Sequence, residues 1–389
     1  MWSDPLISIT LYMGLYGIGT IISNKTRGVI GEALFLCAVY AIGFASGIIP
    51  RDSLISTGIP SVLGAFGVMM IVTNLGTMIE LRRFIREWRT VVVCCVSLAV
   101  MTALCWIVGM MVYDKYYALS SIPPLAGGVV AQQLVSAAAN EAGMPEYGAF
   151  SALVCSFQTF IGIPVVAFLL RKHCDGLVAK KAYITDDAKD SKFPNLRIFK
   201  PFPEAWNDSS IIVTKLLLVT LLGSYIASVT KIPGAVVVLV LGIIFTEIGF
   251  LDRQALTKAG FMNFLFIGLI MLLPLDFSGL TMESLGGMVG PMVFFILLGT
   301  VGLVLGGALI SVVLKVDWKL AAAIALSAFL GYPLTEAVVR TVVRSFKLPE
   351  EEEGKLMGMV LPQMIIAGFT TVTVASVLMG GVIAPMIFS

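Results

Sequence analysis

Charged side chains are scarce in this sequence. Asp, Glu, Lys and Arg together make up 13% of its 389 residues, whereas a soluble globular chain carries about a quarter. The formal net charge is only +2, and no basic stretch is interleaved with aromatic residues. A nucleic-acid partner is therefore not expected.

The residues that most enzymes use are scarcer still. The single histidine, His173, stands beside Arg171 and Lys172 at the end of an apolar segment, where we expect a loop residue rather than a catalytic base. The sequence contains no H-E-x-x-H and no G-x-S-x-G run. The six cysteines never show C-x-x-C spacing, which favours buried free thiols over disulfides or a metal site. An intramembrane enzyme is thus a remote alternative, and no cofactor is expected.

Apolar residues are abundant instead, at 58% of the chain with a mean hydropathy of +0.96. Residues 92–113 and 291–314 carry no charge, and each run exceeds the roughly 20 residues that cross a bilayer as a helix. The N-terminus lacks the basic start of a cleavable signal peptide. The sequence predicts an all-α polytopic membrane protein whose first apolar segment is retained, in the cell inner (plasma) membrane.

Twelve apolar stretches can be separated. Ten are predicted to span the bilayer, near residues 5–22, 29–48, 59–79, 90–113, 148–170, 210–229, 232–250, 259–280, 287–314 and 355–386. The other two, 121–144 and 320–346, are interrupted by Pro123-Pro124, Gly127-Gly128 and Gly331-Tyr332-Pro333 and carry polar residues throughout.

Loop charge decides how these two stretches are placed, because Lys and Arg accumulate in short cytoplasmic loops. The basic residues cluster on one side only if both stretches are re-entrant hairpins that enter and leave on the same side. The cluster includes Arg82, Arg83, Arg86 and Arg89 after the third span, and eight Lys and Arg residues between 171 and 200. Each half then has five spans, so the halves face opposite ways and both termini lie outside.

Shared spacing supports this reading of two inverted halves. Gly127 and Gly331 are 204 positions apart, and so are Met144-Pro145-Glu146 and Leu348-Pro349-Glu350, which precede the fifth spans. The predicted domains are an N-terminal repeat, 1–172, a cytoplasmic linker, 173–208, and a C-terminal repeat, 209–389.

At the same offset, two polar stripes correspond. Gln132, Ser136 and Asn140 in the first hairpin map onto Glu336, Arg340 and Arg344 in the second, and the i, i+4, i+8 spacing puts each set on one helical face. Ionisable groups at membrane depth are costly unless they are paired or face water. Surface snorkelling of the arginines and capping by Glu336 remain the structural alternatives.

A binding site is predicted where the hairpin breaks meet. Broken helices at membrane depth direct N–H and C=O groups at solutes and ions. Hydroxyl and amide oxygens on the fifth spans suit a cation such as Na⁺. The predicted substrate-binding residues are Gly127, Gly128, Gln132, Ser136, Asn140, Thr335, Glu336 and Arg340, with Arg340 for a carboxylate. The predicted cation-binding residues are Gln158, Thr159, Gln363, Thr370 and Thr371.

With this organisation, the chain resembles the glutamate:sodium symporter family. The local likeness rests on residues 151–173, with Gly162-Ile163-Pro164-Val165-Val166, and on Met359-Val360-Leu361-Pro362-Gln363-Met364. It departs at the first hairpin, where Val129-Val130-Ala131-Gln132 follows the glycines in place of a Gly-Gly-His-Gly type run. The resemblance implies Na⁺-coupled uptake of an amino acid such as glutamate or of a small carboxylate.

The expected function is therefore secondary active transport, by sodium-coupled symport of a small organic anion or amino acid. The two hairpins and both fifth spans would form a mobile, elevator-like unit, and the remaining spans a scaffold, in a homodimer. A cation/proton antiporter or an organic-anion exporter is the alternative within transport.

Overall fold

A computed structural model of the chain describes residues 4–25, 32–50, 53, 55–79, 87–180, 198–199, 208–230, 232–270, 277, 281–331 and 334–387. Every regular element within these ranges is helical. The helices are α1 (Pro5–Lys25), α2 (Glu32–Ala45), α3 (Ile59–Met78), α4 (Trp88–Val112), α5 (Lys115–Ala126), α6 (Val129–Glu141), α7 (Pro145–Ala179), α8 (Ser209–Thr230), α9 (Gly234–Glu247), α10 (Ala255–Lys258), α11 (Met262–Ile270), α12 (Met282–Leu314), α13 (Trp318–Leu326), α14 (Leu334–Arg344), α15 (Glu350–Phe369) and α16 (Ser376–Ile387).

Among the described residues, six helical segments are long and apolar enough to cross a membrane. They are Pro5–Ser23, Trp88–Val112, Pro145–Ala179, Ser209–Thr230, Met282–Leu314 and Glu350–Ile387, and the last joins α15 to α16 through a π-helix at Thr370–Ala375. The predicted class, an all-helical multi-pass membrane protein, is confirmed. The count of ten spans and the side on which the termini lie stay predictions, because helix length and composition do not fix them.

Helix α7, which contains the predicted fifth span, corrects one sequence-based interpretation. Helix α7 extends to Ala179, past the predicted domain boundary at 172, so His173 is helical and buried rather than in a loop. Its Nδ1 atom lies 2.8 Å from Oδ2 of Asp317, at the start of α13. Most of the predicted linker 173–208 lies outside the described residues, as do Arg82, Arg83, Arg86, Tyr332 and Pro333.

Helix starts repeat at close to the offset found in the sequence. Helices α1 and α8 begin 204 residues apart, α5 and α13 begin 203 apart, and α6 and α14, like α7 and α15, begin 205 apart. Helices α4 and α12, which overlap at this offset, pack face to face and antiparallel. A methyl group added at Gly302 would lie 2.7 Å from Cα of Met101, and one added at Gly306 would lie 2.5 Å from Cα of Ser97. The two corresponding helices therefore run in opposite directions.

The first broken segment, α5 and α6, returns to the side from which it starts. The ring of Tyr147, at the start of α7, lies 5.1 Å from that of Tyr116 and 5.2 Å from that of Tyr117, at the start of α5. Gly148 packs against Ser136, near the end of α6. Both ends of the segment thus meet the start of α7, as a re-entrant hairpin requires.

The second segment, α13 and α14, approaches from the opposite end of α7. Asp317 before α13 pairs with His173 near the end of α7. Helix α14 runs antiparallel to α15, because Thr335 packs on Gly368 and Arg344 lies 3.7 Å from Glu353. These contacts support two hairpins that enter from opposite sides, the first beside the start of α7 and the second beside its end.

In the ranges given above, buried apolar side chains form two clusters. The large cluster joins both hairpins to α1, α2, α4, α7, α12, α15 and α16. The small cluster consists of buried side chains of α3, α8, α9, α10 and α11, against which Val130 of α6 and Val377 of α16 pack. Helices α6 and α16 therefore form the boundary between the two clusters.

Close packing of α3 on α9 generates a stability prediction. A methyl group added at Gly76 would lie 2.6 Å from the Leu239 carbonyl oxygen, which is backbone and cannot rotate away. We expect Gly76→Ala to lower the free energy of unfolding by about 1–3 kcal/mol. At Gly286 of α12 nothing lies within 4 Å, so Gly286→Ala should be neutral or gain about 0.5–1 kcal/mol.

Thermal unfolding of both purified variants, followed by tryptophan fluorescence, checks this prediction. Equal unfolding midpoints for the two alanine variants would contradict the described contact between α3 and α9.

Candidate functional site

The first hairpin breaks at two glycines. Gly127 and Gly128 have φ values of +113° and +92°, a region that side chains with a Cβ atom rarely adopt. Between them they end α5 and start α6, and they leave room for the other hairpin. A methyl group at Gly127 would lie 2.7 Å from the carbonyl oxygen of Ala328. The two glycines are therefore needed both for their backbone conformation and for contact between the hairpin tips.

The second hairpin reaches the same place through a 3₁₀ turn, Ser327–Phe329, and Gly331, whose φ is +65°. Thr335 is fully buried, and its hydroxyl group donates to the Gly331 carbonyl oxygen at 2.8 Å. This bond closes the start of α14 onto the tip. The predicted site residues Gly127, Gly128 and Thr335 thus lie where the two tips meet.

Two long helices pass this junction. From α7, the hydroxyl group of Thr159 donates to the Phe329 carbonyl oxygen at 3.3 Å. The other is the continuous helical segment of α15 and α16, and its π-helix, Thr370–Ala375, lies at the junction. A π-helix shifts side chains by one position relative to the helix before it, and such segments occur often at functional sites. Here the shift places Val372 against the glycines of both tips.

Gln158, beside Thr159 on α7, carries an unsatisfied polar group. Its side chain is buried, and Oε1 accepts no hydrogen bond within the described part of the chain. A buried acceptor without a partner costs about 1–3 kcal/mol. A bound cation would satisfy it, because amide oxygens are ligands that hard cations accept.

The threonines predicted to bind a cation are bonded to their own helix. The hydroxyl groups of Thr370 and Thr371 donate to the carbonyl oxygens of Ile366 and Ala367 at 2.6 and 2.9 Å. Each hydroxyl oxygen keeps lone pairs but has already used its proton. Gln363 is half-buried on α15, about two turns before the π-helix.

The neutral stripe of the first hairpin starts beside the tip and runs away from it. Nε2 of Gln133 donates to Oε1 of Gln132, and Nε2 of Gln132 donates to Oγ of Ser136, at 3.1 and 2.8 Å. This buried chain leads away from the tip, since Ser136 packs on Gly148 at the start of α7. Asn140 is exposed at the far end of α6.

The charged stripe of the second hairpin runs the other way. Glu336 and Arg340 form an ion pair at 2.7 Å, with side chains 23% and 46% exposed, and Arg344 is farther from the tip and more exposed. The two corresponding stripes therefore do not face one another. Hairpins that enter from opposite sides bring only their tips together, and their polar faces diverge. Snorkelling, the structural alternative, fits Arg344.

Val372 was missed in the sequence because nothing marks an apolar residue within a membrane helix as functional. The only available signal is the β-branched run Thr370-Thr371-Val372-Thr373-Val374, which is less favourable for an α-helix than Leu or Ala. The hydrogen bond between His173 and Asp317 was missed as well. Burial of the Asp317 carboxyl group raises its pKa, but hydrogen bonds from His173 and the backbone of Lys319 outweigh this and hold the pKa below its usual value.

Comparisons with known proteins give little further guidance. No protein-family model and no curated protein matches the chain. Among solved structures, it is similar to the sodium proton antiporter MjNhaP1 from Methanocaldococcus jannaschii, with 14% sequence identity, a TM-score of 0.49 and coverage of 98% of both chains. A TM-score at this level does not establish a shared fold. None of these matches supports the resemblance to the glutamate:sodium symporter family.

Contact between the tips yields a second prediction. Gly127→Ala would combine backbone strain with a clash against Ala328, whereas Gly143, also at positive φ (+72°), has nothing within 4 Å of an added methyl group. Gly143→Ala therefore reports backbone strain of about 1–3 kcal/mol without a clash. We expect Gly127→Ala to lower the thermal unfolding midpoint clearly more than Gly143→Ala does.

The two purified variants are compared in the same detergent and salt. If Gly143→Ala destabilised the protein as much as Gly127→Ala, the tips would not be in the contact described.

Proposed function

We propose that this protein is a secondary active transporter that works by alternating access at the junction of its two hairpin tips. The observation that carries the proposal is the contact of Gly127 with Ala328, the point at which two helix breaks from opposite sides meet. Each tip reaches the junction from one side only. A ligand bound between them would be reached from one side by moving the first hairpin and from the other by moving the second.

The backbone at these breaks has the chemistry to hold a small ligand. Helix α5 ends at Gly127 with no helical turn after it, α13 continues into the 3₁₀ turn that ends at Phe329, and α6 starts at Gly128 with no side-chain cap on its N–H groups. Helix C-termini attract cations and N-termini attract anions. Broken helices at membrane depth are used this way in transporters built from inverted repeats.

A monovalent cation such as Na⁺ is the ligand that the side chains favour. The unpartnered Oε1 of Gln158 and the hydroxyl oxygens of Thr159, Thr370 and Thr371 are neutral oxygen donors. Neutral oxygens suit a cation that must also be released, because they hold it without a full opposing charge.

Cation/proton exchange is the form of coupling that we propose first. The symport hypothesis used Arg340 to bind a carboxylate, yet Arg340 is half-exposed, lies beyond the tip and is paired with Glu336. Glu336 itself follows Thr335 directly and is partly shielded. The proposed exchange assigns the transported proton to Glu336, whose ion pair with Arg340 would open when the proton binds. Each cycle would move cation and proton in opposite directions.

Sodium-driven uptake of a small organic anion remains the second candidate. The specific observation in its favour is the uncapped N-terminus of α6 at the first tip, which would attract a carboxylate without Arg340.

The mobile unit would differ from the one expected from the sequence. Helices α4 and α12 pack with the hairpins in the large cluster, and α3 with α8 to α11 forms the small one. Sliding of the large cluster along the small cluster is the movement that this division favours. A homodimer stays a prediction that rests on the abundance of apolar helices. Its interface would bury part of one of the two clusters.

Proteoliposomes with an entrapped pH indicator test the proposal. An inward Na⁺ gradient should drive proton efflux in the wild-type protein and none in Glu336→Gln. Glu283→Gln serves as the control, because Glu283 is an exposed acid at the start of α12. Gln158→Ala should raise the Na⁺ concentration for half-maximal flux about tenfold, as loss of roughly 1.4 kcal/mol of binding predicts.

Three outcomes separate the candidates. Sodium-dependent accumulation of labelled glutamate or another small carboxylate, without proton countertransport, would replace exchange by symport. Normal exchange in Glu336→Gln would remove Glu336 as the proton carrier. If neither ions nor carboxylates moved under either gradient, secondary transport itself would be refuted.

A further inference from the structure

The side chain of Val372 fills the space between the two hairpin tips. A methyl group added at Gly127 would lie 2.9 Å from Cγ2 of Val372, one at Gly128 would lie 3.1 Å from Cγ1, and one at Gly331 would lie 3.3 Å from Cγ2. All three tip glycines therefore face the same isopropyl group. In the described part of the chain, this valine contacts both helix breaks at once.

The π-helix holds Val372 in this position from its backbone. The hydroxyl group of Ser376 donates to the Val372 carbonyl oxygen at 2.6 Å, and the same oxygen would lie 3.0 Å from a methyl group at Gly128. The carbonyl group and the side chain are thus both directed at the first tip. A π-turn within an α-helix is rare and occurs often at functional sites, and this one lies at the junction of the tips.

Its neighbour in the same segment makes different contacts. Val374, two residues on, packs against the small cluster of α3 and α8 to α11. The two valines of the π-helix therefore face different neighbours. Val372 faces the hairpin tips, and Val374 faces the small cluster. This pair provides a matched control.

We propose that Val372 is the residue that sets how large an ion or solute can pass between the two tips. The inference rests on the proposed transport function and adds the residue that limits cargo size. The isopropyl group is an apolar wedge with no hydrogen-bonding capacity, so it acts by volume. A smaller side chain widens the gap between Gly127 and Gly331, and a larger one narrows it.

Selectivity among monovalent cations gives the first test. Initial rates of Li⁺, Na⁺, K⁺ and Cs⁺ flux are measured in proteoliposomes for the wild type, Val372→Ala and Val372→Ile. Val372→Ala should raise the K⁺ to Na⁺ rate ratio about tenfold or more, the discrimination that a methylene group gives in an apolar pocket. Val372→Ile should lower the rates of the larger ions first.

The control variants are Val374→Ala and Val374→Ile, which should keep the wild-type order and ratios. The inference is overturned if Val372→Ala changes all four rates by one common factor, or if the two alanine variants change the ratios equally.

A second test does not depend on ion flux. Val372→Cys and Val374→Cys are treated in membranes with a small water-soluble methanethiosulfonate reagent, and labelling is counted above that of the wild-type chain with its six cysteines. Val372→Cys should react, because a path for ions between the tips must also admit water, and Val374→Cys should not. Absence of all ion flux in the wild-type protein would refute the proposed function and the inference with it, whether or not Val372→Cys reacts. No reaction at Val372→Cys would overturn the inference.

Discussion

Backbone that leaves the helix inside a bilayer must find other partners for its N–H and C=O groups, since each unpaired group costs several kcal/mol there. Within the part of the chain that the structure describes, three interruptions of helices lie together. They are Gly127-Gly128, Gly331 and the π-helix Thr370–Ala375. Much of the surrounding packing serves to bury these breaks in protein rather than in lipid.

The burial is achieved by pairs of corresponding elements that run in opposite directions. Helix α7 passes the junction from the first hairpin to the second, and α15 with α16 passes it from the second to the first. Helices α4 and α12 pack against both hairpins. Gly302 and Gly306 let the backbones of these two helices come into direct contact. Packing of small residues is the main source of attraction between helices in lipid, where apolar burial gains nothing over contact with acyl chains.

Much of this architecture could be predicted from the sequence, because hydropathy and loop charge are strong signals in membrane proteins. The breaks at Gly127 and Gly331 were found from composition and from their offset. The relation of the polar stripes was not. Spacing of i, i+4, i+8 shows that Glu336 and Arg340 share a helical face, but it does not show which neighbour that face meets. Glu336 and Arg340 pair with each other, so the positive charge that was predicted to bind a carboxylate already has a partner.

The residues that sequence reasoning missed share a physical cause. Val372 matters because of a one-residue shift in helix register, and His173 because α7 continues past the apolar segment to reach Asp317. Both depend on contacts between distant parts of the chain. Local propensity and periodicity report only on near neighbours, so neither position stands out from the residues around it.

Movement of the large cluster along the small one is the central claim, and crosslinking across their boundary tests it most directly. A Cβ atom at Gly381 would lie 3.6 Å from that of Ala235 in the small cluster, and one at Gly380 would lie 3.4 Å from that of Ala131 in the first hairpin. Both distances are close to the Cβ separation of a disulfide, about 3.5–4.5 Å. The variant pairs are Gly381→Cys with Ala235→Cys, and Gly380→Cys with Ala131→Cys.

Oxidation should stop ion flux in the first pair and restore it on reduction, while the second pair stays active in both states. Undiminished flux through a protein whose Gly381→Cys and Ala235→Cys thiols are fully crosslinked would contradict the account.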